Sequence, residues 1–432
     1  MFAIFFPVAL RFLLVGSLAL AACGSSATLP ATEADAAADV AQDAADVAPD
    51  VSADVAPDVP FAIADHPPAP QVEKGSGSVL AQPHARVITF DGDPQRPLAE
   101  QFVADIAGSP YWTAVTAEYG VGDLVVDAPI HLAITPTPTL TDKELEDFLI
   151  AQLTDEPALW GKPDAHTIYV LVYPLGVTIT EPQTGGKSCK DFGAYHSILT
   201  VGKVKVPYAA IPACPGFAGP QVDLAHVFMV STSHELLEAA TDPDGYAPAW
   251  SKVDAAHAAW GTIAGGPEIG DLCTWAEGDP YQWPDKDYTG ERSWSNAAAA
   301  AGHNPCQPTN GKEPYFNAAP ETPDTVKVGA YKVAGVHITT GNSVVVPVHL
   351  FSDAPTDGPW EVWATDYATW YLQSAPQLQF DWDGDNKATG QNGDVLNLTI
   401  TVLKADSKKY EPYFVFSRMG ETTNLWMGFV GN

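Results

Sequence analysis

Basic side chains are scarce in this chain: 21 lysines and arginines stand against 53 aspartates and glutamates, for a formal net charge of -32 over 432 residues. Such a surface offers no positive face to a phosphate backbone, which excludes nucleic acid as a partner. Long apolar runs are lacking too. Beyond the first 22 residues no stretch reaches the roughly 18 consecutive apolar residues expected of a membrane-spanning helix. Aromatics are missing from most of the stretch between Gly24 and Val79, which excludes a packed core there. Cysteine is confined to five positions.

The N-terminus explains the compartment. Arg11 precedes an apolar run from Phe12 to Ala22 that ends in Leu20-Ala21-Ala22-Cys23. This resembles a bacterial lipoprotein signal, which implies cleavage before Cys23 and lipid attachment there. The expectation is a protein anchored in the bacterial cell envelope, on the outer membrane or cell surface, with the membrane as a partner through its lipid. Residues 1–22 are then the signal, and residues 23–79 a tether. Near-repeats such as Asp46-Val47-Ala48-Pro49-Asp50-Val51 repel one another and bury too little surface to offset chain entropy. Setting Cys23 aside leaves Cys189, Cys214, Cys273 and Cys306, an even number suited to two disulfides in an exported chain. Three pairings are open; Cys189 with Cys214 and Cys273 with Cys306 are preferred as neighbours along the chain.

Hydrophobic patterning predicts an α/β (α+β) domain with a mixed sheet over 80–320. Ala85 to Phe90 reads as a strand, Pro97 to Ala107 as a helix, and Thr141 to Leu153 as a helix with Thr141 as N-cap and Glu144 three residues on. Thr167 to Tyr173 is apolar at nearly every position, as expected of the strand at a sheet's centre. Tyr195 to Thr200 and Val204 to Ile211 are strand-like. Trp250, Trp260, Trp275, Trp283 and Trp294 mark loops that either line a groove or cover irregular core. From 321 to 432, short alternating stretches between turn residues predict a separate β-sandwich domain. Within it Asp381-Trp382-Asp383-Gly384-Asp385-Asn386 has a calcium loop's alternating carboxylates, but its glycine falls fourth rather than sixth, which favours a plain acidic turn.

The chemistry concentrates in Ser233-His234-Glu235-Leu236-Leu237-Glu238-Ala239-Ala240-Thr241-Asp242-Pro243. On a helix, His234 and Glu238 stand one turn apart on one face and can meet on one metal ion, while Glu235 is placed to act as general base toward an activated water. Glu238 occupies the place of the second histidine in the zinc motif His-Glu-x-x-His, so the pattern is looser. The competing reading is a capping box, with Thr232 as N-cap and Glu235 at the third helical position. A third ligand is required. Asp271 is the leading candidate because Cys273 beside it can staple its loop to the helix; Glu268 and Asp244 are alternatives, and His196, His257 and His303 remain in reserve. Zinc fits the donors, as do manganese and iron.

Together with Tyr195-His196-Ser197, Ala213-Cys214-Pro215, Glu268-Ile269-Gly270-Asp271-Leu272-Cys273 and Ser295-Asn296 leading to Pro305-Cys306, this motif resembles bacterial relatives of the Exordium, or phosphate-induced, proteins over about residues 85 to 310. The resemblance implies an exported, disulfide-bearing protein and groups His234, Glu235, Glu238 and Asp271; it attaches no firm reaction. The order of elements is that of zincin-type metallopeptidases. The functional expectation is a cell-surface zinc-dependent hydrolase acting on peptides. Its rival is a non-catalytic binding or adhesion protein with a peptide or cell-wall ligand.

Overall fold

Seven successive residues, Thr167–Tyr173, are all buried, and they form the strand about which the largest sheet is laid. A computed structural model of the chain describes residues 60–181, 184–217, 222–274, 280–311, 314–404 and 410–431, together with the backbone of residues 2 and 3. The rest of the expected signal, Cys23 and Trp275 lie outside the described residues.

The sheet is built from β1 (His84–Phe90), β2 (Thr167–Tyr173), β3 (Tyr195–Val201) and β4 (Val204–Pro212), in the order β3-β4-β2-β1. β1, β2 and β4 run parallel, and β3 returns antiparallel along β4. The short strands Val125–Val126 and Ile130–Leu132 extend it beyond β1, and the backbone of Phe2–Ala3 lies beside β3. Strands buried on both faces need helices or loops over each side. Helices α1 (Arg96–Ile106) and α2 (Pro110–Thr116) contribute Phe102, Ile106 and Trp112 to one core, while α3 (Asp142–Asp155) packs Leu145, Leu149 and Leu153 into the other. Ser109 caps α2 through its side chain. The capping box of Thr141 and Glu144 is present.

Helix α4 (Leu224–Thr241) crosses this sheet, and every residue from Val227 to Thr241 is buried. Its N-cap is Asp223, whose carboxylate accepts the N–H of His226 at 2.7 Å. The competing reading of a capping box at Thr232 and Glu235 is therefore overturned: the helix begins two turns earlier, and Thr232 lies in its middle. No helix among the described residues is long and apolar enough to cross a membrane.

The C-terminal region is a β-sandwich. A four-stranded sheet (Phe316–Pro320, Ser343–Ser352, Val395–Val402, Leu378–Asp381) faces a six-stranded one, and Phe316, Val348, Leu350, Val362, Tyr413 and Val415 fill the space between them. The fold is thus mixed α+β with a β-rich C-terminal part. The sandwich has a core of its own, and across the expected break at 320/321 the two parts also share apolar packing. Trp260 and Trp294 share one apolar cluster with Val326, Phe351, Phe414 and Trp426, and residues 62–432 form one compact unit. The rings of Trp260 and Trp426 lie 5.6 Å apart, edge to face. Trp260, Trp283 and Trp294 are buried and cover core, and Trp260 also borders a cleft with His257, Pro323 and Trp426.

The tether, expected to run to residue 79, ends earlier in the described part. Val72 and Leu80 are buried, Val72–Glu73 pairs with Lys252–Val253, and His66 stacks on Phe351 at 3.6 Å. Pro and Gly here mark an extended strap whose backbone is satisfied by the body it lies on. Residues Asp381–Asn386 form the expected acidic turn, with Trp382 and Asp385 bonded backbone to backbone.

Candidate metal centre

The helical spacing of His234 and Glu238 does bring them together: Nε2 of His234 lies 3.1 Å from Oε2 of Glu238. Asp271 completes the group from a single turn of 3-10 helix, Asp271–Cys273, with its Oδ1 3.9 Å from the same imidazole nitrogen. One donor atom from each of His234, Glu238 and Asp271 lies within 4.8 Å of the others, the spacing expected when three ligands surround one cation. Both disulfides form as expected. Cys189–Cys214 closes the approach to α4, and Cys273–Cys306 ties the Asp271 turn to the segment after Trp294.

The Asp271 turn reaches the helix because Gly270 has no side chain. A Cβ there would lie 2.8 Å from Oε1 of Glu238 and 3.1 Å from Nδ1 of His234. Gly266 makes equal room on the other side, since a Cβ on it would meet Oδ2 of Asp271 at 1.9 Å. The Asp271 N–H donates to Oε1 of Glu238 at 3.1 Å, and the Glu268 N–H donates to Oδ2 of Asp271 at 3.3 Å. These bonds leave Oε2 of Glu238 and Oδ1 of Asp271 turned toward His234.

Glu235 points to the other side of the cluster. Its Oε2 lies 3.0 Å from Nδ1 of His196, a residue of β3 held in reserve by sequence reasoning. Strand alternation places Tyr195 against α3, where its hydroxyl donates to Asp142, and turns His196 toward α4. His196 also lies 3.8 Å from Oε2 of Glu238 and 3.6 Å from Oε1 of Glu268. His196, Glu235 and Glu238 make a second group with donor atoms within 4.8 Å of one another, and these are the two such groups among the described residues. Glu268, offered as an alternative third ligand of the first group, belongs beside His196. Asp244 is half-buried and paired with Lys205, His257 is paired with Asp254, and His303 with Asp353.

The carboxylates around His196 and His234 are buried without enough positive charge. His196, His234, Glu235, Glu238, Glu268 and Asp271 are each 0–3 % exposed. Burial pushes the carboxyls of Glu235 and Glu238 up to about 8, with imidazoles opposing it in both cases, and burial lifts that of nearby Glu291 to about 7. Glu268 and Asp271 are raised well above the carboxylate range, first by burial and then by the charge of Glu238. Oε1 of Glu235 has no hydrogen-bond partner, and the Glu268 carboxyl meets only other carboxyls, those of Asp242 and Glu238, at hydrogen-bonding range. Ionised carboxylates in such surroundings cost several kcal/mol each unless a cation compensates them. The imidazole and carboxylate donors, the unpartnered oxygen of Glu235 and the glycine-lined cradle all fit a divalent ion.

In comparison with known proteins, no family model matches this chain and no curated protein matches it. Fifteen chains of solved structures match. Domains 4 and 5 of the S-layer protein SbsC align at 13% identity over 28% of this chain and 46% of that fragment, less than half its length, with a TM-score of 0.19. A chimeric titin Z1Z2 carrying a decorin peptide aligns at 14% identity over 27% of this chain and 95% of that one, with a TM-score of 0.16. A twitchin kinase fragment from C. elegans, with kinase and immunoglobulin domains, aligns at 17% identity over 28% of this chain and 20% of that one, with a TM-score of 0.15.

Proposed function

We propose that this chain is a divalent-cation-dependent hydrolase of the bacterial cell envelope, with a zincin-like α+β core whose metal is zinc. The observation that carries the reading is the convergence of His234 and Glu238, one turn apart on α4, with Asp271 from the disulfide-bridged turn. His234, Glu238 and Asp271 would hold the ion, which when bound lowers the pKa of water and polarises a carbonyl oxygen. The N–H of Asp271 orients Glu238, and Glu268 and Asp271 brace each other across the same turn. Glu235, next to the ligand His234, keeps Oε1 free of hydrogen bonds and supplies the general base. The substrate class is a peptide. The lipoprotein-like N-terminus supports attachment through Cys23, and the resemblance to Exordium relatives supports an exported role without naming a reaction.

Elemental analysis of the purified full-length chain tests the metal, and cleavage of a peptide library by the chain and by Glu235→Gln tests the chemistry. The expected result is bound zinc in both and cleavage reduced at least ~100-fold in the variant. Equal cleavage by the two removes Glu235 from the mechanism.

A second reading has its own observation. Side chains that are all 0–3 % exposed suit an ion that is structural, within a non-catalytic surface protein that binds a peptide or cell-wall ligand. Bound zinc, retention of the full chain on cell-wall material and no hydrolysis of any peptide would favour it.

A further inference from the structure

We propose that the cluster holds a second divalent cation, between Nδ1 of His196, Glu235 and Glu238, so that the Glu238 carboxylate bridges two ions. This rests on the reading that His234, Glu238 and Asp271 hold the first. His196 is surrounded by acceptors. Nδ1 faces Oε2 of Glu235 at 3.0 Å and Oε2 of Glu238 at 3.8 Å, both from α4. Nε2 faces the carbonyl oxygen of Asp242 at 3.3 Å and Oε1 of Glu268 at 3.6 Å.

A neutral imidazole has one N–H to give. The carbonyl of Asp242 holds that proton on Nε2, the arrangement by which an outer partner sets the tautomer of a metal-binding histidine. The lone pair of Nδ1 is then directed at two carboxylate oxygens. With both carboxyls ionised, three electron-rich groups face one another in a space shielded from water and form a ligand set for a cation.

An imidazolium would answer Glu235, but it would leave other atoms unanswered. Oε1 of Glu235 lacks a hydrogen-bond partner although the residue is 1% exposed, and the Glu268 carboxyl, 0% exposed, is packed against the carboxyls of Asp242 and Glu238. The unpartnered Oε1 of Glu235 is a second observation beside the Nδ1 contacts, at the same group.

Glu238 joins the two groups through one atom. Its Oε2 is 3.1 Å from Nε2 of His234 and 3.8 Å from Nδ1 of His196, while its Oε1 is occupied by the N–H of Asp271. An oxygen between two imidazole nitrogens, with acids on either flank, is the layout of a paired-ion centre that clamps both sides of a hydrolytic displacement. With Oε2 of Glu235 given to the second ion, its Oε1 remains to accept a proton. Mixed imidazole and carboxylate donors suit zinc, manganese or iron.

Chelator-stripped full-length protein titrated with Zn²⁺ alone and with Mn²⁺ alone tests this, with bound metal counted after gel filtration and the manganese form read by electron paramagnetic resonance. Two ions per chain are expected, falling to one in His196→Gln, with a spin-coupled manganese signal that collapses to an isolated six-line spectrum in that variant. One ion per chain, lost in His234→Ala and unchanged in His196→Gln, overturns the second site and leaves the first. One ion weakened by both variants overturns the paired arrangement as well, and no ion at all overturns both readings. Circular dichroism checks folding; should His196→Gln fail to fold, Glu235→Gln takes its place, and the count for the unaltered chain decides alone.

Discussion

The backbone N–H of Asp271 donates to Oε1 of Glu238, 33 residues earlier, at 3.1 Å. This bond joins the metal-motif helix to a turn that Cys273 anchors through Cys306. Replacing both cysteines, Cys273→Ser with Cys306→Ser, is expected to cost about 2–4 kcal/mol of stability and also to weaken zinc binding, because the turn is freed from the helix. Denaturant midpoints and zinc titration measure the two effects. The Cys189→Ser, Cys214→Ser pair serves as comparison: a stability loss without the affinity loss is expected there. Equal affinity losses in the two pairs would detach the Cys273–Cys306 bridge from the site.

Gly270→Ala isolates the cradle from the ligands. The added methyl would sit 2.8 Å from Oε1 of Glu238 and 3.1 Å from Nδ1 of His234, so the turn must retreat. Overpacking of this kind costs about 1–3 kcal/mol. The same retreat draws Asp271 from His234, so zinc affinity is expected to fall at least ~10-fold although no ligand has changed. Unchanged affinity would mean that the turn does not help to hold the ion.

Removing the metal gives the complementary effect. An ion that binds only the folded chain adds about 2.7 kcal/mol of stability at a free concentration 100 times its dissociation constant. Chelation is therefore expected to lower the melting temperature by several degrees, and zinc to restore it. His234→Ala should show a smaller drop on chelation than the unaltered chain, and His234→Ala combined with His196→Gln should melt at the same temperature with and without chelator.

The helix-borne half of this site was legible because His234 and Glu238 are four apart, a spacing that puts them on one face wherever the helix begins. Asp271 was legible through the cysteine beside it. His196 was not, since its role depends on β3 returning beside β4 and on α4 crossing that face, both contacts between distant parts of the chain. A weak signal was present: His196 follows Tyr195 in a strand, and alternation sends the two to opposite cores. The polar run Ser231-Thr232-Ser233 imitates a helix start, but the apolar Val227 to Val230 before it continue the helix backwards to Asp223. The shared core with the β-sandwich stayed hidden because Trp260 and Trp426 lie far apart in sequence.

The strap of residues 60–79 was hidden for the same reason, since its partners come from distant loops. Asn296 brackets Val72, its Oδ1 accepting the Val72 N–H and its Nδ2 donating to the Val72 carbonyl, both at 2.8 Å. Trp294 donates to the Pro70 carbonyl at 3.1 Å, and the Gln71 N–H donates to Asp254 at 2.8 Å. At about 1 kcal/mol for each bond, a chain starting at residue 80 is expected to lose roughly 4 kcal/mol relative to one starting at residue 60. Denaturation of the two truncated chains checks this. Equal midpoints would return the strap to the tether.

Away from the metal groups, Asp142 carries a pH dependence whose sign can be worked out. It is buried at the first turn of α3, and the hydroxyls of Tyr195 and Tyr208 each donate to its Oδ1 at 2.7 Å. Burial raises its pKa above the ordinary value, against the two hydroxyl bonds, which lower it. The folded chain then holds this proton more tightly than the unfolded chain. Stability from this residue is full below the ordinary carboxylate range and falls as the pH climbs from that range through the raised value. Asp142→Asn keeps an oxygen for both hydroxyls and carries no charge, so it should match the unaltered chain at low pH and exceed it at pH 8. Asp142→Ala strands two buried hydroxyls at about 1–3 kcal/mol each and should be less stable at every pH. Denaturant midpoints of the three chains from pH 4 to 8 provide the measurement, and a stability of Asp142→Asn that falls below that of the unaltered chain as pH rises would show that the ionised carboxylate is preferred in the fold.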